Sequence, residues 1–276
     1  MAVQLSEEEA AKLLKSLTLP PLPQVMSELQ AAQARGEDNA TLAEIVGQDL
    51  SLSAAVLKTA NSPAFAGRRF DTLQDAVLYL GSANLGSVVS GVALKHSIPL
   101  PPILGMFWDE ATRIAAIAAL LARHWKLARP EQAYLFCLFR DSGIPVLAQR
   151  FPSYISTLAR AMAQPARFIE VELKSRTCSH VIVGYLLARS WYLPEAFNLA
   201  ILHHHDYADL HDRGLLGEES ARLVALARLA EYLMHTRQTG ERDEHWPELE
   251  DSLLAILGQD KAALREASEL VEPSET

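Results

Sequence analysis

Helix start and stop signals recur along the whole chain, and they constrain its fold more than any other feature of the sequence. Three segments have the spacing of a capping box, in which a hydroxyl residue is followed three positions later by an acid: Ser6 with Glu9, Thr41 with Glu44, and Thr72 with Asp75. Another cap is expected at Ser51. Between these signals, apolar residues recur with the period of a helix, and strand-like alternation is hard to find. The sequence therefore predicts an all-α chain built from many short helices.

The segment His96–Gly105 contains three prolines and is the best candidate for a linker. The chain has 276 residues, which is more than one modest core usually serves. We therefore expect two helical lobes, over residues 1–98 and 106–214, followed by a helical extension over residues 215–276.

The charge of the chain argues against two classes of partner. The net charge is −9 and no basic cluster is present, so the chain gains no counterion-release affinity for nucleic acid and no attraction to anionic lipid. The N-terminus lacks a signal-peptide hydrophobic region, and the most apolar run, Ile114–Ala122, is too short to span a bilayer. We expect a cytoplasmic protein in which Cys137 and Cys178, both in apolar stretches, are buried free thiols.

The stretch Leu138–Pro145, LFRDSGIP, ends an apolar run with an arginine and an acid. A guanidinium has no lone pair to donate, so Arg140 cannot be a metal ligand. Two arrangements are open. Either Arg140 points inward and pairs with Asp141 or Glu110, or it turns to solvent while Asp141 caps the next helix.

Three consecutive histidines, His203–His205, form a second candidate site. On a helix such residues point about 100° apart, so they cannot chelate one ion together, and at most one or two of them face His180. The sequence leaves three interpretations open: packed histidines satisfied by hydrogen bonds, a metal cluster, or a site for a small molecule or anion. His180 itself can equally be an ordinary packed residue.

Several stretches match the motifs of one known domain in their order along the chain. They are Leu19–Pro23, Ile45–Leu52 followed by Val56–Phe65, Thr72–Gly81, His180–Gly184, Trp191–Pro194 and Ile201–Asp206. Together, over about residues 15–215, they resemble the HDOD domain, the HD-related output domain of bacterial signalling proteins. Within them, Asn61-Ser62-Pro63 stops a helix, since the Asn61 side chain can bond its own backbone and Pro63 forbids continuation. We expect Phe65 to enter the core, and a direct partner contact is the alternative for this motif.

The resemblance also implies a site, because the second half of the HDOD domain is similar to the HD phosphohydrolases. In those enzymes histidines and a His-Asp pair hold divalent metal ions. In this chain, Glu110 and Arg140 stand at two of the histidine positions, and Asp141 stands at the aspartate of the pair. His180 corresponds to a later histidine. His204 and His205 correspond to a double histidine, and Asp206 to the acid after it. The later positions match the enzyme site, but the first two histidines are replaced, so the resemblance implies a degenerate metal site.

We therefore expect a non-catalytic regulatory module that acts through contacts with other signalling proteins, with the sensor on another protein. No catalytic residue, cofactor or metal is expected; if a metal binds, its ligands are Asp141, His180 and His204. The alternative is a metal-dependent phosphohydrolase acting on nucleotides or cyclic dinucleotides. Arg140 and Glu110 argue against it, because they replace histidines of the enzyme site. The sequence does not identify the partner, and it leaves oligomer formation open.

Overall fold

The protein is described by a computed structural model over residues 17–65, 69–175, 178–207, 210, 213–241, 243 and 245–271. Within these ranges the chain forms fourteen α-helices and two 3-10 helices, and it contains no strand. The all-α prediction is therefore confirmed. The helix predicted to start at Ser6 lies outside the described residues.

Four helices form the first part of the chain. They are α1 (Gln24–Ala34), α2 (Asn39–Gly47), α3 (Leu50–Ala60) and α4 (Leu73–Ser97). The long helix α4 packs against the other three. It is kinked at Gly81, which has a positive φ of 72°, a conformation that costs glycine little. Two helical segments, before and after Gly81, are thus joined end to end.

The caps of these helices match the predictions at one position of three. The Thr72 hydroxyl accepts a hydrogen bond from the Asp75 backbone N–H and caps α4 as expected. The predictions at Thr41 and Ser51 were wrong, because aspartates two or three residues earlier take the role. Asp38 accepts from the Thr41 N–H at 2.8 Å, and Asp49 accepts from the Leu52 N–H at 3.0 Å. Carboxylates at these positions also interact favourably with the helix dipole.

Among the described residues, α4 is the one helix whose length and apolar composition would allow it to cross a membrane. More than half of its most apolar stretch is buried inside the protein. The central helix of a globular core has the same length and composition, and α4 packs against helices on several sides.

The remaining helices form the second part of the chain. The 3-10 helix Pro102–Leu104 precedes α5 (Phe107–Trp125), α6 (Pro130–Phe139), α7 (Gly143–Arg150), α8 (Tyr154–Met162), the 3-10 helix Pro165–Arg167, α9 (Phe168–Ser175), α10 (His180–Ser190), α11 (Glu195–His203), α12 (Arg213–Thr239), α13 (Trp246–Leu257) and α14 (Lys261–Val271). Helix α12 packs against α5, α6, α11 and α13, while α10 packs against α7 and α11. This arrangement brings the start of α10 and the ends of α6 and α11 to one place.

The two parts of the chain share their packing. Helix α4 contacts α6, and the ring of Phe65 meets Tyr134 edge-on with 5.2 Å between ring centroids. The Trp191 indole N–H donates to the Pro20 carbonyl at 3.1 Å. One connected cluster of buried apolar residues runs from Leu17 to Ala267. The lobe boundaries drawn from the sequence remain predictions.

The Asn61-Ser62-Phe65 motif ends α3 and shapes the segment after it. The Asn61 amide donates to the Phe70 carbonyl at 2.9 Å, and its oxygen accepts from the Phe70 N–H at 2.7 Å. The expected bond to the local backbone is thus replaced by a clamp on a residue nine positions away. Ser62 has a buried hydroxyl without a hydrogen-bond partner. Phe65 is buried, which confirms its predicted core position. Both cysteines are buried thiols outside any disulfide, also as predicted.

Candidate metal centre

The stretch LFRDSGIP forms a tight junction between α6 and α7. Helix α6 ends at Phe139, and α7 begins at Gly143. A Cβ atom on Gly143 would lie only 2.1 Å from the carbonyl oxygen of His180, so only glycine allows this approach. The junction holds Asp141 beside the first residue of α10.

Four side chains converge at this junction: Asp141, His180, His204 and His205. One ligand atom from each lies within 4.8 Å of the others. The Nε2 atom of His180 is 3.5 Å from that of His204 and 3.2 Å from that of His205. The Oδ1 atom of Asp141 is 3.2 Å from the His204 Nε2 and 3.5 Å from the His180 Nε2. The structure thus brings together the three ligands named from the resemblance and adds His205 to them.

Two of the three consecutive histidines reach the cluster because the helix ends before them. Helix α11 stops at His203, and His204 and His205 lie in the turn that follows. Two of the three histidines therefore face His180, as expected, but they do so from a turn and not from a helix. His203 points elsewhere, since its Nδ1 lies 3.0 Å from Asp206. Asp206 therefore pairs with His203 outside the cluster.

Hydrogen bonds on the far side of two rings fix their orientation. The Nδ1 atom of His204 lies 2.8 Å from the Ile201 carbonyl, which can only accept, so this nitrogen carries the hydrogen. The Nδ1 atom of His180 lies 2.9 Å from Glu172, and the Tyr154 hydroxyl donates to the same carboxylate. Both Nε2 atoms then present lone pairs to the centre, next to an aspartate oxygen. Atoms of this kind repel one another unless a proton or a cation lies between them, so the residues fit a bound divalent cation.

The electrostatics of the cluster keep the aspartate ionised. Burial alone would raise the pKa of Asp141, but the charge of Arg140 holds it well below its usual range. Burial together with the neighbouring His204 and His180 lowers the pKa of His205, which favours the neutral form that binds metals. Burial would also lower the pKa of His180, yet the Glu172 carboxylate raises it.

Arg140 points inward and is 5% exposed, which decides between the two arrangements left open by the sequence. Its Nε lies 3.0 Å from Asp141 Oδ2, an ion pair without the alignment of a hydrogen bond, and its Nη2 lies 3.4 Å from Glu231. Glu110, the other partner considered, lies exposed in the first turn of α5 and outside the group of ligand atoms. Arg228 extends the network, with Nη1 3.6 Å from Glu231.

Sequence reasoning missed Glu172, Tyr154 and Glu231. Glu172 is fully buried on α9, and Glu231 lies far along the chain on α12. Neither has a spacing to Asp141 or His180 that marks it as a partner. The one available signal was the position of Glu172 between Val171 and Leu173, since a carboxylate that packs with apolar neighbours is seldom buried without a partner.

The described helices thus bring three histidines and an aspartate together where α6, α7, α10 and α11 meet. The family model of the HDOD domain matches residues 19–207 of this chain. The chain therefore belongs to the HDOD domain family, and the resemblance drawn from its motifs is confirmed. No curated protein matches the chain.

Solved structures with this fold include two proteins of Shewanella amazonensis SB2B. One, provisionally described as a phosphohydrolase, is 24% identical with a TM-score of 0.71, over 95% of this chain and 97% of that one. The other, provisionally described as a metal-dependent phosphohydrolase, is 20% identical with a TM-score of 0.65, over 96% and 98%. A provisionally described signal transduction protein of Marinobacter aquaeolei VT8 is 23% identical with a TM-score of 0.62, over 98% of this chain and 59% of that one. At these identities the likeness shows a shared fold.

Proposed function

We propose that this chain is a non-catalytic module of signal transduction that acts through contacts with other signalling proteins. We further propose that its cluster of Asp141, His180, His204 and His205 holds one divalent cation. The observation that carries both parts is the surroundings of Asp141. The imidazoles of His204 and His180 lie 3.2 and 3.5 Å from Oδ1, and a buried guanidinium lies against Oδ2. His205 completes the group, 3.2 Å from His180.

The number of protein ligands favours a structural role for this cation. Catalytic sites keep a coordination position open for water or substrate, whereas structural sites of a tetrahedral ion are filled by four protein ligands. Three imidazoles and one carboxylate supply four. Such a set fills the tetrahedral coordination of Zn²⁺, whereas Fe²⁺ or Mn²⁺, which take up to six ligands, would keep open positions; the structural role is therefore proposed for Zn²⁺. A divalent cation with an open position lowers the pKa of its bound water and neutralises phosphate charge, and a filled set of ligands withholds that position.

Arg140 limits the cluster to one ion. Its guanidinium stays charged at any accessible pH and lies against the Asp141 oxygen that would otherwise be free for a second cation. A second divalent ion there would meet a fixed positive charge at close range. Arg140, held between Asp141 and Glu231, thus supplies the positive charge that a second metal ion would otherwise supply.

A metal-dependent phosphohydrolase acting on nucleotides or cyclic dinucleotides is the second candidate. The convergence of four ligand atoms favours it, and the two Shewanella proteins of similar fold carry that provisional description. In this case Asp141, His180 and His204 would hold the cation, and the site would need an open position beside them.

The class of partner follows from the family and the charge. We infer that the partners are other signalling proteins, and that the protein works in the cytoplasm of a bacterium without binding nucleic acid or membrane. The net charge of −9 supports this inference, because it provides no counterion-release affinity for nucleic acid.

Elemental analysis of untagged protein tests the proposal. The protein is measured before and after incubation with Mn²⁺, Fe²⁺ and Zn²⁺, and each form is assayed on linear and cyclic dinucleotides. The variant His204→Ala removes one ligand, and His235→Ala removes an exposed histidine of α12 as the matched control. We expect one ion per chain in the wild type and in His235→Ala, its loss in His204→Ala, and no hydrolysis by any form.

Two results would contradict the proposal. Hydrolysis that requires the ion and disappears in His204→Ala would establish the phosphohydrolase instead. Absence of a bound ion under all three conditions would overturn the cation site and leave the cluster as packed, proton-sharing histidines.

A further inference from the structure

We propose that Glu172 and Tyr154 are positioning residues of the cluster, which fix the tautomer of His180 and thereby set the affinity for the cation. The claim about cation affinity rests on the proposed function, because it requires that the cluster binds a cation. The claim about the tautomer of His180 does not require it. The two parts can therefore be tested separately.

The Glu172 carboxylate is held by donors at both oxygens. It is 0% exposed, as is His180. Its Oε2 lies 2.9 Å from the His180 Nδ1 and accepts from the His180 backbone N–H at 3.2 Å, while Oε1 accepts from the Tyr154 hydroxyl. A carboxylate bound at both ends cannot rotate, so its orientation toward the His180 ring is fixed.

This arrangement places the hydrogen of neutral His180 on Nδ1. An ionised carboxylate only accepts, so the ring nitrogen that faces it must donate. The Nε2 lone pair is then directed at Asp141, His204 and His205. In the opposite tautomer an Nε2–H would occupy the position where the ligand atoms converge. The outer partner of a metal-binding histidine acts in this way in many proteins.

Among the histidines of the cluster, His180 is the one whose tautomer is fixed by a side chain. The tautomer of His204 is set by the Ile201 backbone carbonyl, which no substitution removes. The tautomer of His180 depends on the Glu172 side chain and, through it, on Tyr154. Helix α9 also carries Phe168, whose ring stacks on His205 at 4.9 Å and meets His180 edge-on at 5.1 Å. Helix α9 thus supports two of the four ligands without supplying one.

The variant Glu172→Met separates tautomer control from packing. Its side chain is close to glutamate in length but gives Nδ1 no oxygen to donate to. An Nδ1–H would then be buried without an acceptor, whereas an Nε2–H can donate to Asp141, 3.5 Å away, so the His180 hydrogen moves to Nε2. The milder variant Tyr154→Phe removes one hydroxyl from the carboxylate. Tyr134→Phe removes the hydroxyl of another buried tyrosine, on α6, and serves as the matched control.

Two measurements follow for each variant. Nitrogen-15 NMR of the cation-free protein, at a pH where the imidazoles are neutral, reports the tautomer of His180. Competition with a chelator gives the dissociation constant for Zn²⁺. We expect an Nδ1–H signal in the wild type and an Nε2–H signal in Glu172→Met. We also expect Zn²⁺ binding about 10–100-fold weaker in Glu172→Met, weaker by a smaller factor in Tyr154→Phe, and unchanged in Tyr134→Phe.

The inference is overturned if the wild type shows an Nε2–H tautomer at His180, or if Glu172→Met changes neither the tautomer nor the affinity. If Glu172→Met does not fold, Tyr154→Phe decides, and Zn²⁺ affinity equal to that of Tyr134→Phe would overturn the positioning role. If the wild type binds no cation, the proposed function fails, and the NMR signals alone decide whether Glu172 sets the tautomer.

Discussion

Among single residues, Arg140 determines how Asp141 can be used. A guanidinium cannot lose its proton in a protein, so its contact with Asp141 Oδ2 persists at every pH at which the protein is folded. Asp141 therefore offers only Oδ1 to the histidines. Burying Arg140 is tolerated because Asp141 and Glu231 both balance its charge.

Replacing Arg140 by alanine should destabilise the protein. The change leaves two carboxylates without their cation, and breaking a buried pair in this way costs roughly 3–5 kcal/mol. Asp141 and Glu231 are 25% and 39% exposed, so water recovers part of the loss and we expect about 2–3 kcal/mol. Urea unfolding of the cation-free protein measures the difference.

The matched control for this prediction is Arg35→Ala. Arg35 pairs with Glu37 at 3.1 Å on the exposed surface, where such pairs contribute at most about 1 kcal/mol. If Arg140→Ala were no more destabilising than Arg35→Ala, Arg140 would not be the internal counter-charge of Asp141.

The predictability of the site differs from residue to residue. Asp141, His180, His204 and His205 were found because they stand at recognisable positions of a known motif. Glu172 and Glu231 were not found, because only the packing of α9 and α12 brings them to the cluster. His205 was underestimated because an uninterrupted helix was assumed, and the end of α11 at His203 changes the directions of the residues that follow.

At the scale of helices, the contact between α7 and α10 positions the site. The first residue of α7, Gly143, lies against the backbone of His180, the first residue of α10. Because backbone meets backbone there, no side-chain rotation can make room for a larger residue. The distance between Asp141 and His180 depends on this contact.

The substitution Gly143→Ala should therefore displace His180 and destabilise the protein. Overpacking a core usually costs about 1–3 kcal/mol, and a clash with backbone belongs at the upper end, so we expect about 3 kcal/mol. Cation binding should weaken in parallel. Thermal or urea unfolding and elemental analysis provide the two measurements.

A second glycine supplies the control. Gly47 ends α2 without a positive φ, and a Cβ there would meet only the side chain of Leu73, at 4.0 Å. Gly47→Ala should be neutral or stabilise by about 0.5 kcal/mol. Equal effects of the two substitutions would show that the α7–α10 contact adapts and does not fix the site.

Helices were easier to predict than their ends. The helical period of the apolar residues predicted an all-α chain of many short helices, and the fourteen helices of the described residues confirm it. The caps at Asp38 and Asp49 were missed because a hydroxyl residue stands two or three positions later, and both types of side chain make good caps. Only the direction in which the chain approaches the helix distinguishes them.

At the scale of the whole molecule, the continuous apolar core links both parts of the chain. Phe65, from the first part, packs on Tyr134 of α6, and Trp191 of the second part bonds to Pro20. Elements that share a core lose their support together, so the described chain should unfold as one cooperative unit.

The distribution of tryptophan allows a direct test of this cooperativity. All four tryptophans lie beyond residue 98, at positions 108, 125, 191 and 246. Fluorescence therefore reports mainly on the second part, with Trp191 also sensing its contact with Pro20, whereas far-UV circular dichroism reports on every helix. In urea, the two transitions of the wild type should coincide.

The variant Phe65→Ala extends this test across the contact between the two parts. Removing a buried phenylalanine costs about 3–5 kcal/mol, and in a single cooperative unit this loss should lower the urea midpoints of both probes by the same amount. The exposed Leu50→Ala should leave both unchanged. A shift in circular dichroism without a shift in fluorescence would mean that the first part unfolds alone. Phe65 would then stabilise its own lobe without coupling it to the helices that carry the cluster.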